Sequence, residues 1–350
     1  MNVRRLRSVP LCPLVRIPTD DNIKQLNRRI NQYSLLKTIG HGANCKVVLL
    51  QDSSTRNYYA AKVFGCNRRF QKQLPFEREV RIMKKLNHDS IVKLQEILYV
   101  QQKNQYYMIM EWGNCGSLQD IIDSKVRLSN TVISAIFKQL SCALLYLHEH
   151  GFVHQDIKPS NVLIFSDGLA KIADFGIGHS FGSSDTVVGT PAYQSPEIFD
   201  DCVDEFGKLP VLDPSKGDVW SLGVTLYQVV FGILPFSGNT VFEIVRSIKE
   251  NGLFFPEDIN SDLLKLISGM LDPNPETRFT LEQVLSNPFF KDAPERFTPP
   301  INPVDPPKPN MLLPISQLNA SVYDDSILFQ SKSSDLLAGA WDNIIEHRSI

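Results

Sequence analysis

Apolar residues fall into two textures along the chain. From Tyr33 to Glu111 they gather in short runs rich in β-branched and aromatic residues: YSLLKTI (33–39), KVVLL (46–50), YYAAKVF (58–64), and the stretches 92–100 and 105–111. Runs of this length, bounded by a glycine-containing turn or a polar cluster such as DSSTRN, predict strands. One helical stretch, around 75–87, interrupts them. After Gly116 the period lengthens. Val132, Ile133, Ile136, Phe137, Leu140, Leu144 and Leu147 recur at three- and four-residue steps, with Ser129 placed to cap the helix and Gly151 just past its end. A hairpin is predicted at 162–172, turning at Ser166-Asp167-Gly168. DVWSLGVTLYQVVFG (218–232) is apolar on nearly all faces and predicts a central buried helix; further helices fit 240–250, 261–271 and 280–286. The expected fold is α+β in two lobes: an antiparallel five-stranded sheet with one main helix over 33–111, and a mostly helical lobe over 114–291.

The flanks differ from both lobes. Residues 1–32 carry Arg4, Arg5, Arg7, Arg16, Lys24, Arg28 and Arg29 against Asp20 and Asp21, which predicts a solvated basic arm, with a docking segment as the sharper reading. In 292–350, prolines at 299, 300, 303, 306, 307, 309 and 314 predict a linker or wrapping segment, largely without structure of its own. SSDLLAGAWDNIIEH (333–347) reads either as a short helix docking Leu336, Leu337, Trp341 and Ile345 or as an undocked tail.

Charge and cysteine usage narrow the class. Lys and Arg number 36 against 38 Asp and Glu, a balance that argues against bulk nucleic-acid or membrane-surface binding. Cys12, Cys45, Cys66, Cys115, Cys142 and Cys202 form no C-x-x-C pair, which argues against a zinc site or disulfide framework and suits a reducing compartment. The opening MNVRRLRSVPLCPLV is interrupted by Pro10, Pro13 and Arg16 and makes a poor secretory signal. No run approaches the roughly 18 apolar residues of a membrane span. A cytoplasmic chain is the expectation, with a nucleocytoplasmic one as the alternative.

Polar residues at fixed offsets carry the candidate chemistry. Gly40-His41-Gly42-Ala43-Asn44-Cys45-Lys46-Val47 joins the first two strands, and glycines there let backbone N–H groups approach phosphate oxygens. A glycine pair between strands is by itself an ordinary turn. It gains weight from Ala61-Lys62 on the next strand, an ammonium placed for the α- and β-phosphates. Glu79 on the following helical stretch is set to orient Lys62. Glu77, on another face, competes, and a surface pairing with Arg78 or Arg81 is the plain alternative. His154-Gln155-Asp156-Ile157-Lys158-Pro159-Ser160-Asn161 then brings three functions together. An aspartate can accept or orient the proton of an incoming hydroxyl. A lysine can neutralise charge on a transferring phosphoryl group. An asparagine can give an oxygen to Mg²⁺. Asp174-Phe175-Gly176 follows, its carboxylate suited to a hard cation bridging phosphates. Any one of these triplets is an ordinary polar turn; their joint order and spacing carry the argument.

Across residues 33–291 the chain resembles the eukaryotic protein kinase family. Gly189-Thr190-Pro191-Ala192-Tyr193, Ser195-Pro196-Glu197, Asp218-Val219-Trp220 and Arg278 continue the match. The resemblance implies a two-lobed kinase fold and a serine/threonine protein kinase that moves the γ-phosphoryl of ATP onto protein substrates, with Mg²⁺ or Mn²⁺ as substitute. It implies catalytic roles for Asp156, Lys158, Lys62 and Glu79, and metal-holding roles for Asn161 and Asp174. Met110 would line the back of the adenine pocket, and Glu111 and Gly113 would offer backbone hydrogen bonds. Ile39, Val47, Ala60 and Leu163 would sandwich the ring, while Gly40, His41, Gly42, Ala43, Asn44, Cys45 and Lys46 cover the phosphates. Thr190, Glu197, Asp218 and Arg278 would shape and support the substrate side, Arg278 paired with Glu197. A regulatory stack of Leu94, Met83, Phe175 and His154, anchored by Asp218, is also implied. Lys158 and Thr190 look like the serine/threonine branch.

Within the family the chain resembles the calcium/calmodulin-dependent protein kinase kinases and the liver kinase B type, on DIKPSNVL (156–163), KIADFG (171–176), GVTLY (223–227), FGILPF (231–236) and MLDPNPETRFTLEQVLSNPFF (270–290). This implies activation-loop threonines of other kinases as substrates. Four departures bear on it. Cys45 replaces the third glycine, crowding the phosphate loop as either an inert or a reactive thiol. Gln155 replaces an arginine that reads a loop phosphate, which implies that phosphorylation of Ser183, Ser184 or Thr186 is not strictly required. Ser160 stands where basophilic members carry an acidic residue, which implies no strong demand for arginine near the target. GCNRRFQKQLP (65–75) stands in place of an Arg/Pro-rich insertion, and the tail lacks a basic amphipathic helix, which speaks against calmodulin as a partner. The stretch 200–217 reads as a tolerated surface insertion or a docking loop. The rival reading is a pseudokinase, a nucleotide-binding scaffold or signalling module; the presence of Lys62, Glu79, Asp156, Lys158, Asn161 and Asp174 weighs against it. No G-x-x-x-x-G-K-[ST] supports a P-loop NTPase.

Overall fold

Alternation decides the first half of the fold. The computed structural model describes residues 28–41, 45–65, 75–175, 191–199, 213–255, 259–307 and 316–322. Its strands begin with β1 (Arg28–Ile30), β2 (Tyr33–His41), β3 (Cys45–Asp52) and β4 (Tyr58–Gly65). Helix α1 (Pro75–Lys85) follows, then β5 (Leu94–Val100) and β6 (Gln105–Glu111). Successive side chains go to opposite faces. Ala60, Ile97, Met108 and Met110 share one core with Val80 and Met83 of α1. Ala61, Val63, Leu98, Tyr107 and Ile109 form a second, separate core. The strands pair antiparallel, with Lys62 opposite both Val47 and Met108 and Ala60 opposite Met110.

The second half is α2 (Leu118–Asp123), α3 (Asn130–Glu149), the hairpin β7 (Val162–Ile164) and β8 (Ala170–Ile172), then α4 (Pro214–Phe231), α5 (Val241–Asn251), α6 (Ser261–Met270) and α7 (Leu281–Leu285). Side chains satisfy the free N–H groups at the helix starts: Ser129 for α3, Asp213 for α4, Thr240 for α5 and Asn260 for α6. Every residue of α4 from Asp218 to Tyr227 is buried. Gly223 permits this, because a Cβ there would lie 2.9 Å from Met270 Cβ. The short α2, with its Ser117–Asp120 capping box, has too few residues for a readable period, and the sequence reading places no helix there. Helix α3 is the one described helix long and apolar enough to cross a membrane, yet Leu140, Leu144 and Leu147 are fully buried in the helical lobe.

Both faces of the sheet are buried, so its second face needs a cover, and the chain's two flanks supply it. Beyond α7 the chain runs along the helical lobe. Gln139 Nε2 donates to Glu295 O at 2.7 Å, and Phe297 N donates to Gly168 O at 3.2 Å. Gly168 has φ 82°, and a Cβ on it would lie 2.4 Å from Phe297 O, so only glycine serves this turn and this close approach together. Val304 N then donates to Asn114 O at 2.8 Å, beside the interlobe connection. Finally β9 (Ser316–Leu318) pairs parallel with β1, and β10 (Ser321–Val322) pairs antiparallel with β5. The sheet order is β10-β5-β6-β4-β3-β2-β1-β9, so one heptapeptide bridges the two edges of an eight-stranded sheet.

This corrects the sequence reading, which assigned five strands to the sheet and set 1–32 and 292–350 outside the folded domain. The described parts of both flanks are folded onto it. Strands of two or three residues show no alternation, and the surrounding prolines mask them. Residues 1–27 and 323–350, including the 333–347 stretch, lie outside the described residues.

The helical lobe is pinned by Arg278, 1 % exposed. Its Nη1 and Nη2 meet Glu197 Oε1 and Oε2 at 2.6 and 2.8 Å. Its remaining N–H groups reach the carbonyls of Asp272, Lys216 and Pro273, and the guanidinium sits 5.0 Å from the Trp220 ring centre. Removing one partner of such a pair strands a buried charge. Glu197→Ala is therefore expected to cost about 3–5 kcal/mol, read from urea unfolding. Adding Arg278→Met should recover much of the loss, and an E197A chain as stable as the parent would contradict this account.

Candidate active site

Lys62 is a buried charge. Alternation on β4 sends Ala60 and Lys62 to the face packed on α1, and a buried ammonium is costly unless paired. Its Nζ lies 2.5 Å from Glu79 Oε1 and 2.7 Å from Asp174 Oδ1. Glu79, not Glu77, is thus the α1 residue that meets it. Burial pushes the Lys62 ammonium down, but the two carboxylates outweigh burial and hold its pKa above the usual value. Burial lifts the Glu79 carboxyl, and the nearby Asp174 charge adds to the rise against the pull of Lys62. Burial would lift Asp174 too; there Lys62, with His154 and Lys158, prevails and holds the carboxyl below the usual range.

The loop between α3 and β7 brings the next groups. Gln155 has φ 64° and Asp174 φ 65°, left-handed values that residues with a Cβ rarely adopt. Asp218, fully buried near the start of α4, holds the first of these in place. Its Oδ2 accepts His154 N–H at 2.9 Å and its Oδ1 accepts Gln155 N–H at 2.7 Å. His148 Nε2 sits 2.8 Å from Oδ2. Burial works against this carboxylate, and the His148 hydrogen bond and the neighbouring histidines outweigh it to keep its pKa low.

His154 has one tautomer open to it. Asp156 N–H points at its Nδ1 at 3.3 Å, and its Nε2 lies 3.1 Å from Ala173 O, so Nδ1 accepts and Nε2–H donates. The ring meets Phe175 edge-on at 5.2 Å, and Phe175, Met83 and the half-buried Leu94 belong to one packed core. Asp156 Oδ2 accepts from Lys158 Nζ at 2.7 Å and from Asn161 Nδ2 at 3.0 Å. Asn161 spends its amide nitrogen on Asp156, which leaves its carbonyl oxygen for a cation; Asp174 spends Oδ1 on Lys62 and keeps Oδ2. Among the described residues no group of three or more His, Cys, Asp or Glu forms a metal cage. Two hard oxygens without a cage fit Mg²⁺, which is commonly bound by one or two protein ligands together with substrate phosphates and water.

On the same face of the sheet as Lys62, Ala60 and Met110 are buried and Val47 is half-buried; Leu163 of β7 is half-buried and Ile39 exposed. A Cβ on Gly113 would lie 2.8 Å from Leu163 Cβ, so glycine lets the interlobe connection rest directly on β7. Glu111 is held by Lys171 Nζ at 2.8 Å and by Lys93 N–H at 3.0 Å. Gly40, His41, Cys45 and Lys46 end β2 and begin β3, while Gly42, Ala43, Asn44 and Thr190 lie outside the described residues. Sequence reasoning missed His148 and Lys171. The first is the next-to-last residue of α3 and the second lies in a three-residue strand, positions where a lone His or Lys carries no pattern.

Because burial pushes His154 below its ordinary pKa, it contributes to pH dependence with a definite sign. An unfolded histidine titrates near ~6.5. Below that pH the unfolded chain takes a proton that folded His154 refuses, so stability is full above it and falls as pH drops toward the folded pKa. The urea midpoint should fall between pH 7.5 and 5.5, and His154→Asn should flatten the slope. His88, also lowered by burial, supplies a remainder. An unchanged slope in H154N would show that the folded imidazole is not held neutral.

The protein kinase domain family model matches residues 33–290. The chain is 33 % identical over 293 residues to serine/threonine-protein kinase STK11 of Gallus gallus, covering 79 % of this chain and 64 % of that protein. It is 31 % identical over 338 residues to the Xenopus laevis protein of that name, covering 92 % and 76 %. It is 33 % identical over 281 residues to CBL-interacting protein kinase 9 of Oryza sativa subsp. japonica, covering 78 % and 59 %. The chain thus spans a little under two thirds of the chicken and rice proteins' lengths, and the domain match takes in all of β2 to α7. The chain belongs to the protein kinase family, among relatives that are serine/threonine kinases of the kind its catalytic-loop residues led one to expect.

Proposed function

We propose that the chain transfers the γ-phosphoryl group of ATP to serine or threonine hydroxyls of protein substrates. The observation that carries this reading is a single ammonium, Lys62, bonded at once to Glu79 of the sheet lobe and Asp174 of the helical lobe. Lys62 grips the α- and β-phosphates, and Glu79 keeps it aimed. Asp156 takes the proton of the incoming hydroxyl as the new O–P bond forms and the β–γ bridge breaks, releasing ADP. Lys158, 2.7 Å from Asp156, offsets charge on the group in flight. Asn161 and Asp174 would hold Mg²⁺, or Mn²⁺ in its stead, which would neutralise phosphate charge. Ile39, Val47, Ala60 and Leu163 enclose adenine against Met110, with the backbone of Glu111 and Gly113 at its edge. The resemblance to kinase-activating kinases supports threonines in other kinases' activation loops as substrates, and incubation with inactive kinases followed by mapping of new phosphothreonines tests it.

Asp156→Asn is expected to lower turnover about 10²- to 10⁴-fold while ATP binding, followed by thermal shift with Mg²⁺, persists. Unchanged turnover would sink the assignment. Cys45, half-buried where the phosphate loop returns to the sheet, favours one alternative, a nucleotide-binding module without transferase activity. A parent chain that binds ATP and transfers nothing to any protein would establish that alternative. Gln155, whose backbone is held by Asp218 and whose side chain cannot pair ionically with a phosphate, leads to a further expectation. Phosphatase treatment should leave most of the activity, and its near-complete loss would refute this.

A further inference from the structure

The segment 316–322 does not extend the sheet at one edge, as an added strand usually does. It crosses from β1 to β5 and touches both. Arg28, Arg29 and Ile30 pair with Ser316, Gln317 and Leu318, and Tyr99 and Leu98 pair with Ser321 and Val322. Between the two pairings, Asn31 grips the chain: its Nδ2 donates to Ala320 O and its Oδ1 accepts from Ala320 N, both at 3.2 Å. Asn31 adopts φ 49°, a left-handed value that asparagine tolerates, in the two-residue turn between β1 and β2. Leu318 is 8 % exposed and belongs to the second core with Ile30, Tyr33, Leu98, Val100 and Tyr107. By contrast Gln317, Asn319, Ser321 and Val322 are exposed.

We propose that the two edges β1 and β5 form a binding slot for an extended peptide, and that the chain's own tail is its detachable occupant. The slot reads two positions: a leucine that enters the second core, and two residues later a small residue whose N–H and C=O both meet Asn31. The positions between and beyond are read through backbone alone. The occupant has the form of a docked ligand as well as of a strand, because its pairings run over three residues at one edge and two at the other. Seven prolines between 299 and 314 carry no backbone donor, and among described residues 301–307 the one backbone bond to the rest of the fold is Val304 to Asn114. Tethering raises the effective concentration of the tail, so the same peptide offered separately meets an occupied slot.

The test uses the full chain and a fluorescein-labelled peptide of residues 314–324, PISQLNASVYD. Leu318→Asp should expel the tail and open the slot, so that the variant binds the peptide by anisotropy at least about tenfold more tightly than the parent, whose tail competes. The same peptide carrying Leu318→Asp should not bind, and adding Asn31→Ala to the variant chain should weaken binding of the unmodified peptide. Equal, weak binding by parent and variant would overturn the proposal. Where L318D does not fold, a protease site placed between Pro309 and Pro314 of the parent keeps the test open: the folded protein is cut, then challenged with excess labelled peptide. Exchange of the released segment for the peptide supports the slot. A segment that never exchanges, or one that leaves without the peptide binding, overturns it. A parent chain of twice the monomer mass by light scattering, halved by L318D, would reassign the occupant to a second copy and overturn the placement within one chain.

Discussion

A buried ammonium with two carboxylates from different halves of the chain is the constraint on which this molecule turns. Lys62 stands on a strand whose alternation commits it to the interior, and neither lobe alone offers enough negative charge to keep it there. Glu79 is carried by the one helix packed on the sheet. Asp174 follows β8, more than a hundred residues on, and belongs to the helical lobe. Low dielectric makes each link strong, and makes the absence of either expensive. The two lobes are therefore joined at the point where the nucleotide's phosphates would have to sit. A group that binds phosphate there competes for the same ammonium, so the cleft is held in working geometry by the charges that would do the work.

Asp218 plays the corresponding part beneath the cleft. A fully buried carboxylate is tolerable when hydrogen bonds saturate it, and this one receives two backbone N–H groups and a histidine. In return it fixes a backbone turn that Gln155 would not otherwise hold, and with it the positions of His154 and Asp156. The neutral tautomer of His154 extends the chain of dependence: one ring nitrogen ties Asp156 and the other ties Ala173, the residue before Asp174. The loop bearing the proposed base and the segment bearing the proposed metal ligand are thus coupled through one uncharged imidazole.

Much of this was legible in the sequence, for reasons that can be named residue by residue. The strands of seven to nine residues and helix α3 show their period because each spans several turns of its own geometry, and α4 shows itself as a long run apolar on nearly all faces. The site was legible because Lys62, Glu79, Asp156, Lys158, Asn161 and Asp174 sit at spacings that chance does not produce. His148 and Lys171 were not legible: each acts through a partner seventy or sixty residues away, and a single polar residue carries no spacing to read. The edge strands were hidden for a different reason. A three-residue pairing has no period, and Asn31, whose side chain fastens the tail, looks like any turn asparagine.

The two-sided burial of the sheet explains why those hidden strands exist. An antiparallel sheet that covers one face with a helix can leave the other to water if that face is polar. Here Val48, Leu50, Ala61, Val63, Leu98, Val100 and Ile109 make the second face apolar along four strands. Such a face, with both edges of the sheet open, would be an invitation to non-specific pairing. Bringing β1 from one flank and β9 and β10 from the other satisfies the apolar face and the open edges together. The tail that does so has already crossed the helical lobe at Gly168 and the interlobe connection at Asn114. Covering the sheet therefore also ties the sheet lobe to the helical lobe along a route independent of Lys62.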